Sequence, residues 1–577
     1  MADSFKKRGQ KFIKRFSRAS FKAGVEGKEH IKENLIMRFS HIQNVRLLVL
    51  EWGLLVVALI MLSIAQAFWF GDSYAENVFT MGGTYTEATI GEVDSLNPIF
   101  AVTNSERVLS KLMFATVSTI DYSGHVGVGL AKSIWPEEDG KVWKVKVRND
   151  LKWSDGEPIT NEDILFTAQL IKNPSVNSIY SSNFTKVEIS LDEDGNVVFR
   201  LPTVYADFES ALNFPVVPKH VLAEADPKTL VEHNFSINPV TSGAFTLNAV
   251  QTGTGEEKTY YLSSNPNYFK GKTMLNSFAV HTYDSRDKII EAMNSGSVTA
   301  TAEISGPDAD KISTAKFIRK NSSINSGAFM FFNMTSESVK NAALRAAIRE
   351  GLNLETIRTA APDTAKLDYP LLKSQITLTN YPAIPAHNFD AAKSKIAEIA
   401  GEHQISLELA TINSGYLVNV TNVIKEQLEA LGFSVNLSVY EESQDFISNV
   451  ISRRGYDILV YEVELGADPD LLPYYHSSQV TASGLNLSNY KNRMVDDLLL
   501  GGRETLNQEL RVKKYESFLQ YFVNEVPAIA LYQPNLTYIY NKNVRTYGND
   551  VRLVTAIDRF SDISNWAVNK TTKNKTP

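Results

Sequence analysis

The sequence predicts a mixed α/β body with more than one core, preceded by one transmembrane helix, and three observations predict it. The chain has 577 residues, whereas a single core rarely grows beyond roughly 250–300 residues. Residues 47–70, "LLVLEWGLLVVALIMLSIAQAFWF", form one apolar run that would make about 36 Å of helix at about 1.5 Å per residue, enough to span a bilayer. Between residues 405 and 470 the hydrophobic period alternates between strand and helix. "ISLELATI" reads as a strand, residues 416–431 place Val420, Val423, Ile424, Leu428 and Leu431 on one helical face, and Gly432 stops that helix. "FSVNLSVY" is a second strand, "DFISNVISRR" a helix ending at Gly455, and "YDILVYEV" a third strand. This β-α-β-α-β order with short connections predicts a parallel sheet.

The apolar run orients the chain. Residues 1–46 hold twelve Lys and Arg against four Asp and Glu, while the chain beyond Glu51 carries a net charge of −14. Positive charge stays inside, so residues 1–46 are expected in the cytoplasm and the acidic body outside, with Trp52 and Trp69 as interfacial anchors. The run is longer than the core of a cleavable signal and the basic stretch before it is too long, so the reading is an uncleaved single-pass anchor. A basic head on an acidic body also argues against nucleic acid as the partner. The chain lacks cysteine, which excludes disulfides, Cys-ligated zinc, iron–sulfur clusters, thiol nucleophiles and a lipidated cysteine anchor. A hydrophobic fraction of 43% with 21% charged residues excludes general disorder.

Within the body, "KVWKVKVR" (141–148) alternates as a half-buried strand, and "VEISLDEDGNVVFRL" reads as strand, Asp194-Gly195 turn, strand rather than a calcium loop, because the terminal Glu of such a loop is absent. The acidic stretch "KWSDGEPITNEDI" (152–164) reads as turn chemistry followed by a Thr160/Asp163 capping box. On that reading Asp163→Asn costs at most about 1 kcal/mol. Nine histidines are scattered without metal-ligand spacing. "FKGKT" lacks the first glycine of a phosphate loop because Pro266 stands there. No Gly-x-Ser-x-Gly turn is present. No catalytic residue, cofactor or metal site is expected.

Five segments carry a family resemblance: "GGTYTEATIGEVDSLNP" (82–98), "GLAKSIWPEEDGKVWKVKVRNDLKWSDGEPITNEDILFT" (129–167), "NPVTSGAFTL" (238–247), "NPNYFKGK" (265–272) and "FMFFNMTSESVKNAALRAAIREGLN" (329–353). In order and spacing the chain from about Gly82 to about Tyr547 resembles the large solute-binding proteins of ABC importers, the group that takes up oligopeptides, dipeptides and nickel. The resemblance implies the two-lobed periplasmic-binding-protein fold of the large peptide-binding type with an extra subdomain. Its boundaries here would be a basic cytoplasmic segment (1–46), the anchor (47–70), a linker (71–81), lobe one with the subdomain (82–327 plus 530–566), lobe two (328–529) and a flexible tail (567–577). It implies a monomer that closes its lobes on a peptide or other small solute, delivers it to the importer's permease subunits and catalyses nothing.

Ligands of such sheets lie beyond the carboxyl ends of the strands, which selects Asn413, Ser414 and Tyr416, then Glu441, then Tyr461, Glu462, Glu464 and Asp468. In peptide-binding relatives a carboxylate three residues before an Asp/Glu-Pro pair captures the peptide's amino terminus. Asp468-Pro469 matches the pair, but Leu465 stands at that position, so the resemblance shifts the role to Glu464, with Glu462 second. Two readings of other classes remain beside this one, a cell-surface hydrolase and a ligand-sensing receptor or scaffold that reuses the fold.

Overall fold

The computed structural model describes the backbone of residues 46–574 apart from 123, 254–256, 442–445, 483 and 549–550, and side chains over the same range apart from 46–49, 67–77 and 572–574. Two units are present, residues 1–78 with 571–577 and residues 79–570. In the first, Arg46–Tyr74 is a 29-residue helix, exposed along residues 50–66. Among the described residues no helix is long and apolar enough to cross a membrane. The basic head up to residue 45 lies outside the described residues, and the side chains of Trp69 and of both ends of the 47–70 run lie outside the described side chains.

The second unit is built on two large sheets. The eight-stranded sheet has the order Arg552–Leu553, Phe317–Ile324, Asn535–Asn541, Ala300–Thr301, Thr84–Ile90, Ser277–Tyr283, Lys258–Ser264, Phe245–Thr252. The six-stranded sheet has the order Ala365–Lys366, Ala528–Gln533, Ser326–Phe332, Ile458–Glu464, Ser406–Ile412, Ser434–Tyr440. The chain passes between these two sheets twice, at Asn325 and again at Pro534. Each large sheet packs into its own core, one running from Ala328 to Tyr532 and the other gathered from the segments on either side of it.

The expected parallel strands form. Ser406–Ile412 pairs in parallel with Ser434–Tyr440 and with Ile458–Glu464. The sheet becomes mixed where Ser326–Phe332 joins Ile458–Glu464 antiparallel. The helix between the first two strands runs Leu417–Ala430 with Val420, Ile424 and Leu428 buried. "DFISNVISRR" departs from expectation, because its described core, Ile447–Ile451, is one π-turn. Val142–Val147 is a strand of a four-stranded sheet that also holds the hairpin Glu188–Leu191 and Val197–Arg200.

The acidic stretch is structural, as its pattern suggests. Asp163 begins the helix Asn161–Lys172 by accepting from Thr160 N at 2.8 Å and Thr160 Oγ1 at 3.2 Å. It also accepts from Lys219 N at 2.9 Å and is buried. The cost set above for Asp163→Asn is therefore too low, since the sequence shows the cap but not the second element that covers it. Asp155 faces His220 at 2.9 Å, and Glu162 pairs with Lys219 at 2.8 Å.

Candidate functional site

A cavity of about 230 Å³ opens where the two large sheets face each other. The six-stranded sheet supplies the turn Ser414–Gly415–Tyr416 after Ser406–Ile412, Glu462 and Glu464 on Ile458–Glu464, and Tyr532. The eight-stranded sheet supplies Arg319 and the turn from Glu303 to Gly306 after Ala300–Thr301, with Asn104 and Arg286 added from helix starts beside it. Ser414–Tyr416 and Glu303–Gly306 lie just beyond strand ends, the usual ligand position in α/β sheets, while Arg319, Glu462, Glu464 and Tyr532 lie on the strands themselves.

Contacts bridge the walls. Arg107 holds Glu464 through both guanidinium ends at 3.2 Å. Arg286 Nη1 donates to the Asn413 carbonyl at 2.9 Å. Gly306 and Gly415 face each other's neighbours at positive φ, 61° and 51°. A Cβ on Gly306 would stand 3.3 Å from the Tyr416 ring and one on Gly415 would stand 3.6 Å from Ser305 Oγ. Glycine gives the left-handed turn, and at Gly306 it also admits the close approach of the opposite wall.

The sequence-selected residues separate into three groups. Ser414, Tyr416, Glu462 and Glu464 line the cavity. Asn413 and Glu441 do not line it; Asn413 Nδ2 donates to Glu441 Oε1 at 2.9 Å, which ties two strand ends together at the rim. Tyr461 and Asp468 also stand outside the lining. Side chains alternate along a strand, so Glu462 and Glu464 share a face from which Tyr461 is excluded, and the Tyr461 ring packs 5.7 Å from Phe446. The Asp468 side chain is buried in an ion pair with Arg511. Burial, with Asp468 adding to it, pushes nearby Asp207 up to about 7.

Glu464 is half-exposed and already occupied by a guanidinium, whereas an amine receptor needs a carboxylate without such a partner. Glu462 accepts from Ser326 Oγ at 2.9 Å. Its charge, after burial, helps hold the Tyr532 phenol well above the ordinary tyrosine value. The wall contributed by Asn104, Arg286, Glu303 and Arg319 was missed. A signal existed: Ser277–Tyr283 and Ala300–Thr301 both run parallel to Thr84–Ile90, so the carboxyl-edge rule applied to these strands points to Arg286 and Glu303. Among the described residues no group of His, Cys, Asp and Glu is arranged to hold a metal ion.

The sequence profile "Bacterial extracellular solute-binding proteins, family 5 Middle" matches residues 125–483. The oligopeptide-binding protein AppA of Bacillus subtilis (strain 168) is 23% identical over 493 residues, covering 81% of this chain and 89% of AppA. The solved structure of B. subtilis AppA in complex with a nonapeptide matches with a TM-score of 0.72 at 21% identity, over 85% of this chain and 100% of that one. NikZ from Campylobacter jejuni in complex with Ni(L-His) matches with a TM-score of 0.73 at 20% identity, over 84% of this chain and 99% of that one. These likenesses show a shared two-lobed mixed α/β fold, and the two proteins hold chemically different ligands within it.

Proposed function

Given that the chain belongs to the bacterial extracellular solute-binding proteins of family 5, we propose that it captures a solute between its lobes and delivers it to the permease of an ABC importer. The observation that carries this reading is the cavity between two sheets that are joined by only two strand crossings and bridged by Arg107–Glu464 and Arg286–Asn413. Two crossings form a hinge, and the bridging contacts form when it closes. An oligopeptide is the cargo suggested by AppA. Lobe one would comprise residues 82–324 with 535–566 and lobe two residues 326–533, turning about Asn325 and Pro534, which moves the boundaries expected from the sequence (327/328 and 529/530) to the two sheet crossings. The helix Arg46–Tyr74, basic before it and acidic after it, would tether the protein to the membrane with the lobes outside, in place of a lipidated cysteine.

The test is an inventory of what the full-length protein carries when purified in mild detergent. Solute released by acid and identified by mass spectrometry is expected to consist of peptides. A single non-peptide mass in every preparation removes the peptide cargo and leaves solute capture standing. An empty protein whose melting temperature no peptide pool raises overturns the reading.

A further inference from the structure

The ionisable groups of the cavity are unequally satisfied. Beside the phenols of Tyr416 and Tyr532, six charged side chains line it: Arg286, Glu303, Arg319, Asp363, Glu462 and Glu464. Both arginines are engaged with the protein, Arg286 with the Asn413 carbonyl and Arg319 with Asp310 at 2.8 Å. Glu464 has Arg107. Glu303 and Asp363 have no cation paired with them among the described residues, and of the two it is Glu303 whose carboxylate the protein holds: it accepts from Asn104 Nδ2 at 3.0 Å, and the Glu303 backbone N–H donates to Thr301 Oγ1 at 3.1 Å. Arg559, whose charge acts on Glu303, is already bound to Glu87 in the core of the lobe.

We infer that the cavity is built for a solute carrying a cationic group, an ammonium or guanidinium, and that Glu303 is the residue that receives it. The inference rests on the reading of this cavity as the solute site. It moves the expected charge contact from Glu464, which Arg107 occupies, to the opposite wall. Asn104 and the Ile90 backbone hold the Glu303 carboxylate, and Thr301 fixes its backbone N–H, so little side-chain freedom is lost when a cation docks. A cavity of about 230 Å³ has room for one such group and a few atoms beside it, which suits a small solute or the end of a longer one.

The charge state of Glu303 gives the inference a signature. Burial pushes Glu303 up to about 7, with Glu87 adding to the rise and Asn104, Arg559 and the Ile90 backbone opposing it. Arg286, Arg319, Asp363, Glu462 and Glu464 face the same space. A docked cation favours the carboxylate. Binding below about pH 7 must therefore expel a proton, and affinity for a cation that stays charged across the range, as arginine and putrescine do, must rise as the pH passes from 6 to 8.

The experiment uses the full-length protein in detergent micelles, cleared of co-purified solute, with four probes: trialanine, N-acetyl-trialanine amide, arginine and putrescine. Calorimetry at pH 6.0 in two buffers of different ionisation enthalpy, repeated at pH 8.0, reads affinity and proton release together. Probes with a cationic group are expected to bind with proton release at pH 6.0, and the neutral capped peptide is expected to bind at least about a hundredfold more weakly. Glu303→Gln is expected to remove both the preference and the proton release, with its melting temperature at pH 8.0 unchanged or raised. Binding of arginine or putrescine without trialanine supports Glu303 as a cation receptor and removes the peptide cargo. Equal binding of trialanine and its capped form, or an unchanged preference in Glu303→Gln, overturns the inference while peptide capture stands. No binding by any probe overturns the inference.

Discussion

Asp163 shows how the surroundings of a single residue change its energetic weight. Its carboxylate accepts three hydrogen bonds, two from Thr160 and one from the Lys219 backbone, and the side chain is buried. Asparagine keeps one accepting oxygen and presents an NH₂ to one of those N–H donors. Hydrogen bonds to charged groups contribute about 1.5–3 kcal/mol each, and a buried donor left without an acceptor costs a further amount of similar size. Asp163→Asn is therefore expected to lower the unfolding free energy by about 2–4 kcal/mol, measured as a shift of the urea midpoint at constant slope. Solute affinity is expected to stay the same, because Asp163 is not among the residues lining the cavity. A loss within 0.5 kcal/mol, roughly that of an ordinary surface substitution, would show that the Lys219 contact contributes nothing.

The carboxyl end of the strand Ile458–Glu464 is fixed by side chains from elsewhere in the chain. Gln375 Nε2 reaches the carbonyls of Leu465, Gly466 and Asp468 at 2.8, 3.1 and 3.1 Å, and Asn325 Nδ2 reaches Gly466 at 2.8 Å. Gln375→Leu keeps the volume and removes the donors, so a loss of about 1–3 kcal/mol is expected. The Leu465 amide, which donates to the Asn325 carbonyl at 2.8 Å, is expected to exchange its hydrogen faster; unchanged exchange would show that Asn325 alone fixes this end. At this scale much of the fold was legible. Period-two and period-3.6 patterns placed Val142–Val147, the hairpin around Asp194-Gly195, the helix Leu417–Ala430 and the three parallel strands, because each follows from residues adjacent in sequence. What the sequence hid is non-local. Ala300–Thr301 and Arg552–Leu553 are two-residue strands with no period to read, yet one separates Asn535–Asn541 from Thr84–Ile90 and the other ends the sheet. For the same reason half of the candidate site was legible: the carboxyl-edge rule found Ser414, Tyr416, Glu462 and Glu464, while Arg107 is 357 residues from the Glu464 it pairs with.

Charge, rather than packing, divides the chain between the two proposed compartments. Twelve basic residues against four acidic ones precede the apolar run, and net −14 follows Glu51. Basic flanks are retained on the cytoplasmic side of a membrane helix. Arg46–Tyr74 is 29 residues of continuous helix, about 43 Å at about 1.5 Å per residue. Among the described residues no helix is long and apolar enough to cross a membrane, so the proposed tether rests on the sequence of the 47–70 run and its charged flanks. An N-terminal epitope tag is therefore expected to survive protease added to intact cells, or to spheroplasts where an outer membrane stands in the way, while the body from about residue 79 is digested. Permeabilised cells should lose both. If the tag is digested in intact cells, the orientation is reversed. If the mature protein begins near Gly71, the helix is a leader that is removed, and the lobes must then reach their permease by diffusion rather than by a tether.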